Sequence, residues 1–316
     1  MRLVFLTILI SHLVTAFSYA DNHASAVSLE KGDQVVAVKV NGKLFTNYVY
    51  NDKKRAKPIL YPVIGPNEVP MTRRYPIEEA APGEAKDHPH HASLWYTHGE
   101  VNGISFWHVA KNTGTILHEK FLKLEGNTIV TRNKWVGPKG EIVCKDETTL
   151  AFFAEGKDRA IDVSVKIIAA QGDVTFGDTK EGSMGIRSNP TLRLKGSVAK
   201  GKAINSEGVE GRAIWGKRAA WVSYSAPFKS GSVGFSIFDH PTNLRHPTWW
   251  HARDYGLVAA NPFGIHNFER KPKGTGNLKI LKGSDITFKY RFLFHEGDAE
   301  GAKIAERYAK WAKASK

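Results

Sequence analysis

Period-two alternation of apolar residues is the feature that most constrains this chain. Ile161, Val163, Val165 and Ile167 fall on one side of an extended segment, as do Val233, Phe235 and Ile237; Ile286, Phe288, Tyr290, Phe292 and Phe294 mark a longer one. Successive side chains of a strand point to opposite faces, so such runs specify half-buried antiparallel strands. Further extended runs are read at Val35 to Val40, Leu44 to Tyr50, Ile129 to Val136, Thr148 to Ala154, Leu192 to Leu194 and Trp221 to Tyr224, mostly separated by Gly, Asn, Asp or Lys turns. One amphipathic helix is expected over 299–314, where Ala302, Ala305, Tyr308, Ala309 and Trp311 recur at helical spacing, with Tyr308 and Trp311 facing the core. Many strands and one helix predict an all-β fold, stacked antiparallel sheets with the helix packed on them.

Arg2 precedes an apolar run from Leu3 to Ile10, and Ser18 and Ala20 are small, the pattern of a secretory signal peptide cleaved before Asp21. Ser11 and His12 break the run short of the roughly 20 residues a spanning helix needs, and no later stretch reaches that length. Residues 21–316 are then read as one exported domain, periplasmic or secreted. Cys144 is the only cysteine, so no internal disulfide is available and stability rests on packing. A formal charge of +14 favours acidic or sulfated glycans as partners. The basic residues are scattered rather than striped (Lys53, Lys54, Arg55; Lys200, Lys202; Lys217, Arg218; Arg270, Lys271, Lys273), which argues against nucleic acid.

Two short segments concentrate the chemistry. Residues 87–108 hold five of the thirteen histidines, namely His88, His90, His91, His98 and His108, together with Trp95, Asn102 and Trp107. Residues 239–255 hold His240, Arg245, His246, Trp249, Trp250, His251, Arg253, Asp254 and Tyr255. Imidazoles beside carboxylates and a phenol offer proton transfer near neutral pH, with arginine or asparagine to hold developing charge. The catalytic candidates are His88, His90, His91, His98, Glu181, His240, His251, Asp254 and Tyr255. Trp95, Asn102, Arg187, Arg245, Trp249, Trp250, Arg253 and Asn261 are candidates for binding, because sugar rings stack on indoles and guanidinium groups pair with carboxylate or sulfate. A divalent metal held by His88, His90 and His251 is an open alternative, although His-x-His spacing alone presents no closed ligand set. Because acid/base chemistry needs groups on opposite sides of a substrate, the two segments are expected to meet in one pocket.

Longer motifs run in one order. Tyr61 to Pro66 with Met71-Thr72-Arg73, Asp87 to Trp107, Gly185-Ile186-Arg187, and Phe238 to Pro241 through Asp254 to Leu257 to Asn261-Pro262-Phe263-Gly264 together resemble an exported family known as PmoA-like. The resemblance implies a large β-sandwich similar to galactose-mutarotase-like and polysaccharide-lyase folds, which handle sugars on a sheet face. The methane-oxidation sense of the family's name is not carried over, since it belongs to proteins rich in spanning helices. The sequence thus reads as an extracytoplasmic carbohydrate-active enzyme, a hydrolase, lyase or epimerase. A non-catalytic glycan-binding module, or a metal-dependent oxygenase, would use the same residues differently.

Overall fold

The computed structural model describes residues 27–314, so the expected leader Met1 to Ala20 lies outside the described residues. The alternating runs pair into two eight-stranded antiparallel sheets. Strands β1 (Val27–Lys31), β2 (Val35–Val40), β3 (Lys43–Val49), β4 (Ile59–Val63) and β5 (Leu94–His98) lie side by side in the first. The chain then crosses to β6 (Thr115–Glu125), β7 (Thr128–Val136), β8 (Ile142–Glu155) and β9 (Asp158–Ile168) of the second. After β10 (Val174–Phe176), β11 (Gly182–Arg187) returns to pair with β5. Strands β12 (Lys202–Asn205), β13 (Trp221–Phe228) and β14 (Gly231–Asp239) extend the second sheet, and the hairpin β15 (Trp249–Ala252) and β16 (Leu257–Asn261) closes the first, with β16 on β11. A short helix α1 (Ile265–Glu269) leads to β17 (Leu278–Ile280), which pairs with β10. The long β18 (Asp285–Glu296) fills the middle of the second sheet before helix α2 (Ile304–Ala314).

The inward faces meet in one apolar core. Val36, Val38 and Phe45 of the first sheet lie opposite Phe152, Val163, Phe292 and Phe294 of the second, and Phe45 meets Phe152 edge-on at 6.2 Å. Cys144 is buried in β8 opposite Trp135, where burial pushes its thiol up and keeps it unreactive. Helix α2 lays Ile304, Tyr308 and Trp311 on Phe238, Trp221 and Leu293, covering the outer face of the second sheet, so Tyr308 and Trp311 are core residues as read. It begins at Ile304 rather than 299 because Lys303 takes a left-handed conformation, φ 51°, which interrupts the helical path. The run Leu192 to Leu194 is not a strand: Pro190 sets the first φ of a 3-10 turn, and the Asn189 side chain accepts from the Thr191 amide. Among the described residues, no helix is long and apolar enough to cross a membrane.

The outer face of the first sheet is also covered, and there the register matters. Trp95 pairs with Gly185, Gly185 with Ala259, and Ala259 with His251, so these four residues form one row across β5, β11, β16 and β15. Their neighbours Met184, Ile186, Val258, Ala260 and Trp250 point the other way, into the core. The row carries a second apolar layer of Ile59, Tyr61, Ala92, Trp107 and Leu257, over which the 73–91 segment folds. Gly185 makes the close packing possible: a Cβ there would stand 3.2 Å from the Trp95 indole.

Candidate functional site

Asp87 organises the covering loop. Its Oδ1 accepts from Nη1 of Arg73 and from Nη2 of Arg187, both at 2.7 Å, and its Oδ2 lies 2.9 Å from Nδ1 of His88. The two guanidinium groups are almost fully buried. Burial acts to raise the Asp87 carboxyl, but Arg187, Arg73 and His88 outweigh it and hold it below the usual carboxylate range. Arg73 also donates to the carbonyls of Ala85, Asp87 and His88, which fixes the loop around His88, a non-glycine residue with φ 43°. Removing Asp87 leaves both buried guanidinium groups short of a counter-charge. Because the carboxylate is itself partly exposed, Asp87→Ala is expected at the low end of such losses, about 3 kcal/mol, read as a fall in Tm on the order of 6–12 °C. An unchanged Tm would mean that Arg73 and Arg187 hold the loop through backbone carbonyls alone.

Above this network the rings stack. His91 lies parallel to Trp95 at 5.6 Å, His88 parallel to His91 at 4.9 Å, and Tyr255 parallel to His88 at 5.1 Å. Arg187 completes the layer, donating from Nη1 to Nδ1 of His91 at 3.0 Å with its guanidinium 4.6 Å from the Tyr255 ring centre. His90 packs edge-on to His91 and 4.8 Å from His108. His91, 1 % exposed, is therefore a packed member of the stack rather than a free loop imidazole, and burial drives it neutral.

The half-exposed rim holds the titratable groups. Glu181 sits at the start of β11, where its carbonyl accepts from Gly99 N at 2.6 Å; a Cβ on Gly99 would stand 2.6 Å from that of Glu181. Burial acts to raise the Glu181 carboxyl. The Lys180 ammonium at 2.8 Å acts against this, and the carboxyl lies below the usual carboxylate range. The carboxylate in turn acts on three groups around it, His90, His251 and Tyr255. Burial takes His90 down to about 3 and His251 down to about 4, so both are neutral at neutral pH. Burial also raises the Tyr255 phenol, against the pull of Arg187 and of Arg253, whose guanidinium lies 5.6 Å from its ring centre. Glu181, Tyr255, His90 and Arg253, all partly exposed, thus share one surface, and His251 and Arg187 are buried beside it.

The two sequence segments meet, but only in part: His251, Arg253 and Tyr255 of the second join His88, His90, His91 and Trp95 of the first, with Glu181 and Arg187 between them. The other sequence candidates lie elsewhere. His98 points from β5 into the core side, between Phe176 and Phe263, with Nε2 2.8 Å from the Gly177 carbonyl; one residue's shift along a strand puts it on the face opposite Thr97. His240 packs edge-on to Trp311 and bonds Thr242, while Asp239 ties His246, Asn243 and the Thr248 amide together in a buried turn. Asn102 bonds the backbone of Asp173 and Thr175, Arg245 the carbonyls of Pro262 and Gly276, and Asn261 that of Thr179. Asp254 pairs with Arg212 at 3.2 Å. The indoles are covered rather than open: Trp250 is in the core with Nε1 on the Ala219 carbonyl, and Trp249 donates to Glu269 beneath the Arg218 guanidinium. Reasoning from sequence assigned no role to Arg73, Asp87, His108 or Lys57, although Asp87 and His108 bound the first histidine segment.

His88 and His90 are neighbours, with ring centres 5.7 Å apart, and His251 faces them across Glu181. Among the described residues, no group of three or more His, Cys, Asp or Glu side chains is placed to hold a metal ion, so the oxygenase alternative finds no ligand set.

Comparison with known proteins adds the following. No curated protein matches the sequence. Among solved structures, the Slr1438 protein of Synechocystis sp. is 10% identical with a TM-score of 0.37, over 88% of this chain and 94% of that one. A galactose mutarotase related enzyme of Lactobacillus acidophilus is 9% identical with a TM-score of 0.35, over 85% and 97%. The GalM/aldose epimerase homologue of C. elegans is 9% identical with a TM-score of 0.34, over 87% and 99%. Nothing among the matches supports the PmoA-like resemblance, and that name is set aside. The match that does cover the chain is to the model of DUF6807, a family of unknown function, over residues 35–309, and the protein belongs to that family.

Proposed function

We propose that the protein moves protons on a saccharide bound over the outer face of the first sheet, with Glu181 as general base and Tyr255 as general acid. The observation that carries this reading is the pairing of their states. Glu181 is held ionised by the Lys180 ammonium, while Tyr255 is held protonated within range of that charge. A base that is already charged and an acid that keeps its proton need no prior exchange with solvent. When Tyr255 gives up its proton, Arg187 and Arg253 against its ring stabilise the phenolate that forms. Neutral His90, partly exposed, serves as a hydrogen-bond partner for a hydroxyl group, having no charge to lose, while His251 is buried beneath the surface. Hydrolysis, β-elimination and epimerisation all draw on such a pair.

The charge of +14 supports an acidic or sulfated saccharide. Action outside the cytoplasm rests on the leader pattern of Met1 to Ala20 and is checked by the mass of the secreted chain, which should begin at Asp21. The function itself is tested by incubating the protein with matched acidic and neutral oligosaccharides and following proton NMR spectra, which register all three reactions. New resonances with an acidic member are expected. Saturable binding with no product from any member would favour the glycan-binding module instead.

A further inference from the structure

Beside His90 lies a cavity of about 110 Å³, lined by Lys54, Arg55, Lys57, Pro76, His90 and Val109 among others, with no carboxylate in its wall. Lys57 is 5 % exposed. Its ammonium donates to the His90 carbonyl at 3.1 Å and lies 5.6 Å from the Trp95 ring centre. An ammonium carries three donors, and among the described residues this one has a single protein acceptor. Arg55, at the same wall, shares Asp52 at 3.3 Å and the Pro76 carbonyl, whereas no carboxylate among the described residues pairs with Lys57. A buried cation without an anion is costly unless something supplies one.

We propose that this cavity is an anion subsite, in which Lys57, with Arg55 and Lys54 beside it, receives the carboxylate or sulfate group of the saccharide that reacts at Glu181. At about 110 Å³ the space suits a compact charged group. His90 joins the two places: it lines the cavity and feels the charges of both Lys57 and Glu181. A ring seated over Glu181 would thus extend its charged substituent past His90 to Lys57. Burial, with Arg55 nearby, lowers the Lys57 ammonium to about 7, so an arriving anion would also secure its proton. The identity of the saccharide rests on the reading of Glu181 as base, whereas the anion site rests on the cavity and Lys57 alone.

Calorimetric titration of the wild-type protein with inorganic sulfate and with glucuronate, against glucose as control, tests the subsite. Either anion should bind while glucose does not; sulfate alone would assign sulfated sugars, and glucuronate alone uronic acids. Lys57→Met, which keeps the length of the stem, should weaken the anion at least tenfold. Arg55→Gln, at the half-buried edge of the cavity, should weaken it several-fold and guards against loss of fold in the first variant. Glu181→Gln should bind the anion as the wild type does. The proposal is overturned if the wild type binds neither anion, or if Lys57→Met and Arg55→Gln bind as the wild type does. Anion binding through Lys57 without turnover of any saccharide would remove the Glu181 reading and leave the subsite standing. Turnover whose KM is the same for acidic and neutral substrates and insensitive to Lys57→Met would do the reverse.

Discussion

Glu181→Gln is expected to lower kcat/KM on a saccharide substrate by about a hundredfold to ten-thousandfold, the usual worth of a general base. The amide keeps the shape of the side chain and its place against Gly99, and removes its charge and its capacity to accept a proton. Binding of substrate should therefore change little, so the loss falls on kcat rather than on KM. Tyr255→Phe should act in the same direction while keeping the stack on His88. Because Glu181 is held below the usual carboxylate range and Tyr255 above the usual phenol range, kcat at saturating substrate should be level across neutral pH. A variant Glu181→Gln with normal kcat would remove the carboxylate from the mechanism. A rise in KM with kcat unchanged would make it a binding residue only.

Acid should unfold this protein early. Burial takes His98, His251 and His295 down to about 4, and drives His91 in the same direction. In the unfolded chain each returns to about 6.5. Between these values the unfolded state binds more protons, so stability is fully present above pH 6.5 and drains away as pH falls toward 4. One pKa unit is worth about 1.4 kcal/mol, so three imidazoles that are at most 2 % exposed weigh heavily against a net stability of about 5–15 kcal/mol. Asp146 and Asp239, whose carboxyls burial raises, work in the opposite sense. Thermal midpoints measured from pH 8 to pH 4 should be level down to about 6.5 and then drop sharply. A level profile to pH 4.5 would mean that these imidazoles accept protons without disturbing the fold. The acid limit of activity should follow this unfolding rather than the titration of Glu181.

The architecture was legible where strands are buried on one face. Val35 to Val40, Ile129 to Val136 and much of the run Ile286 to Phe294 alternate because one side meets the core and the other does not. The strands that carry the site are different. β11, β15 and β16 are buried at every position, since the core lies on one side and the loop layer on the other, and a strand covered on both faces shows no alternation to read. Their register, which sets Trp95, Gly185, Ala259 and His251 in a row, has no signal in the order of residues. The density of histidine, tryptophan and acid in residues 87–108 did point to the site, and Glu181, Arg187 and Tyr255 were recognisable as residue types that such chemistry uses. What composition could not separate was function from packing. His98 and His91 look alike in sequence, yet one faces the core and the other the ring stack. Lys57 follows Lys53, Lys54 and Arg55 and reads as one more solvated charge, although Pro58, Ile59 and Leu60 after it mark the entry to a buried strand.

The row across β5, β11, β16 and β15 draws on segments from Trp95 to Ala259, and its covering loop begins at Arg73. No stretch of neighbouring residues contains a working part of it. Contacts of such sequence separation form late and slowly, because the chain must close long loops before the pairings hold it. A partly assembled molecule could hold β6 to β9 as successive hairpins and still lack the row and the loop over it. If the row carries turnover as proposed, recovery of activity on dilution from denaturant should lag behind the first return of β-sheet signal.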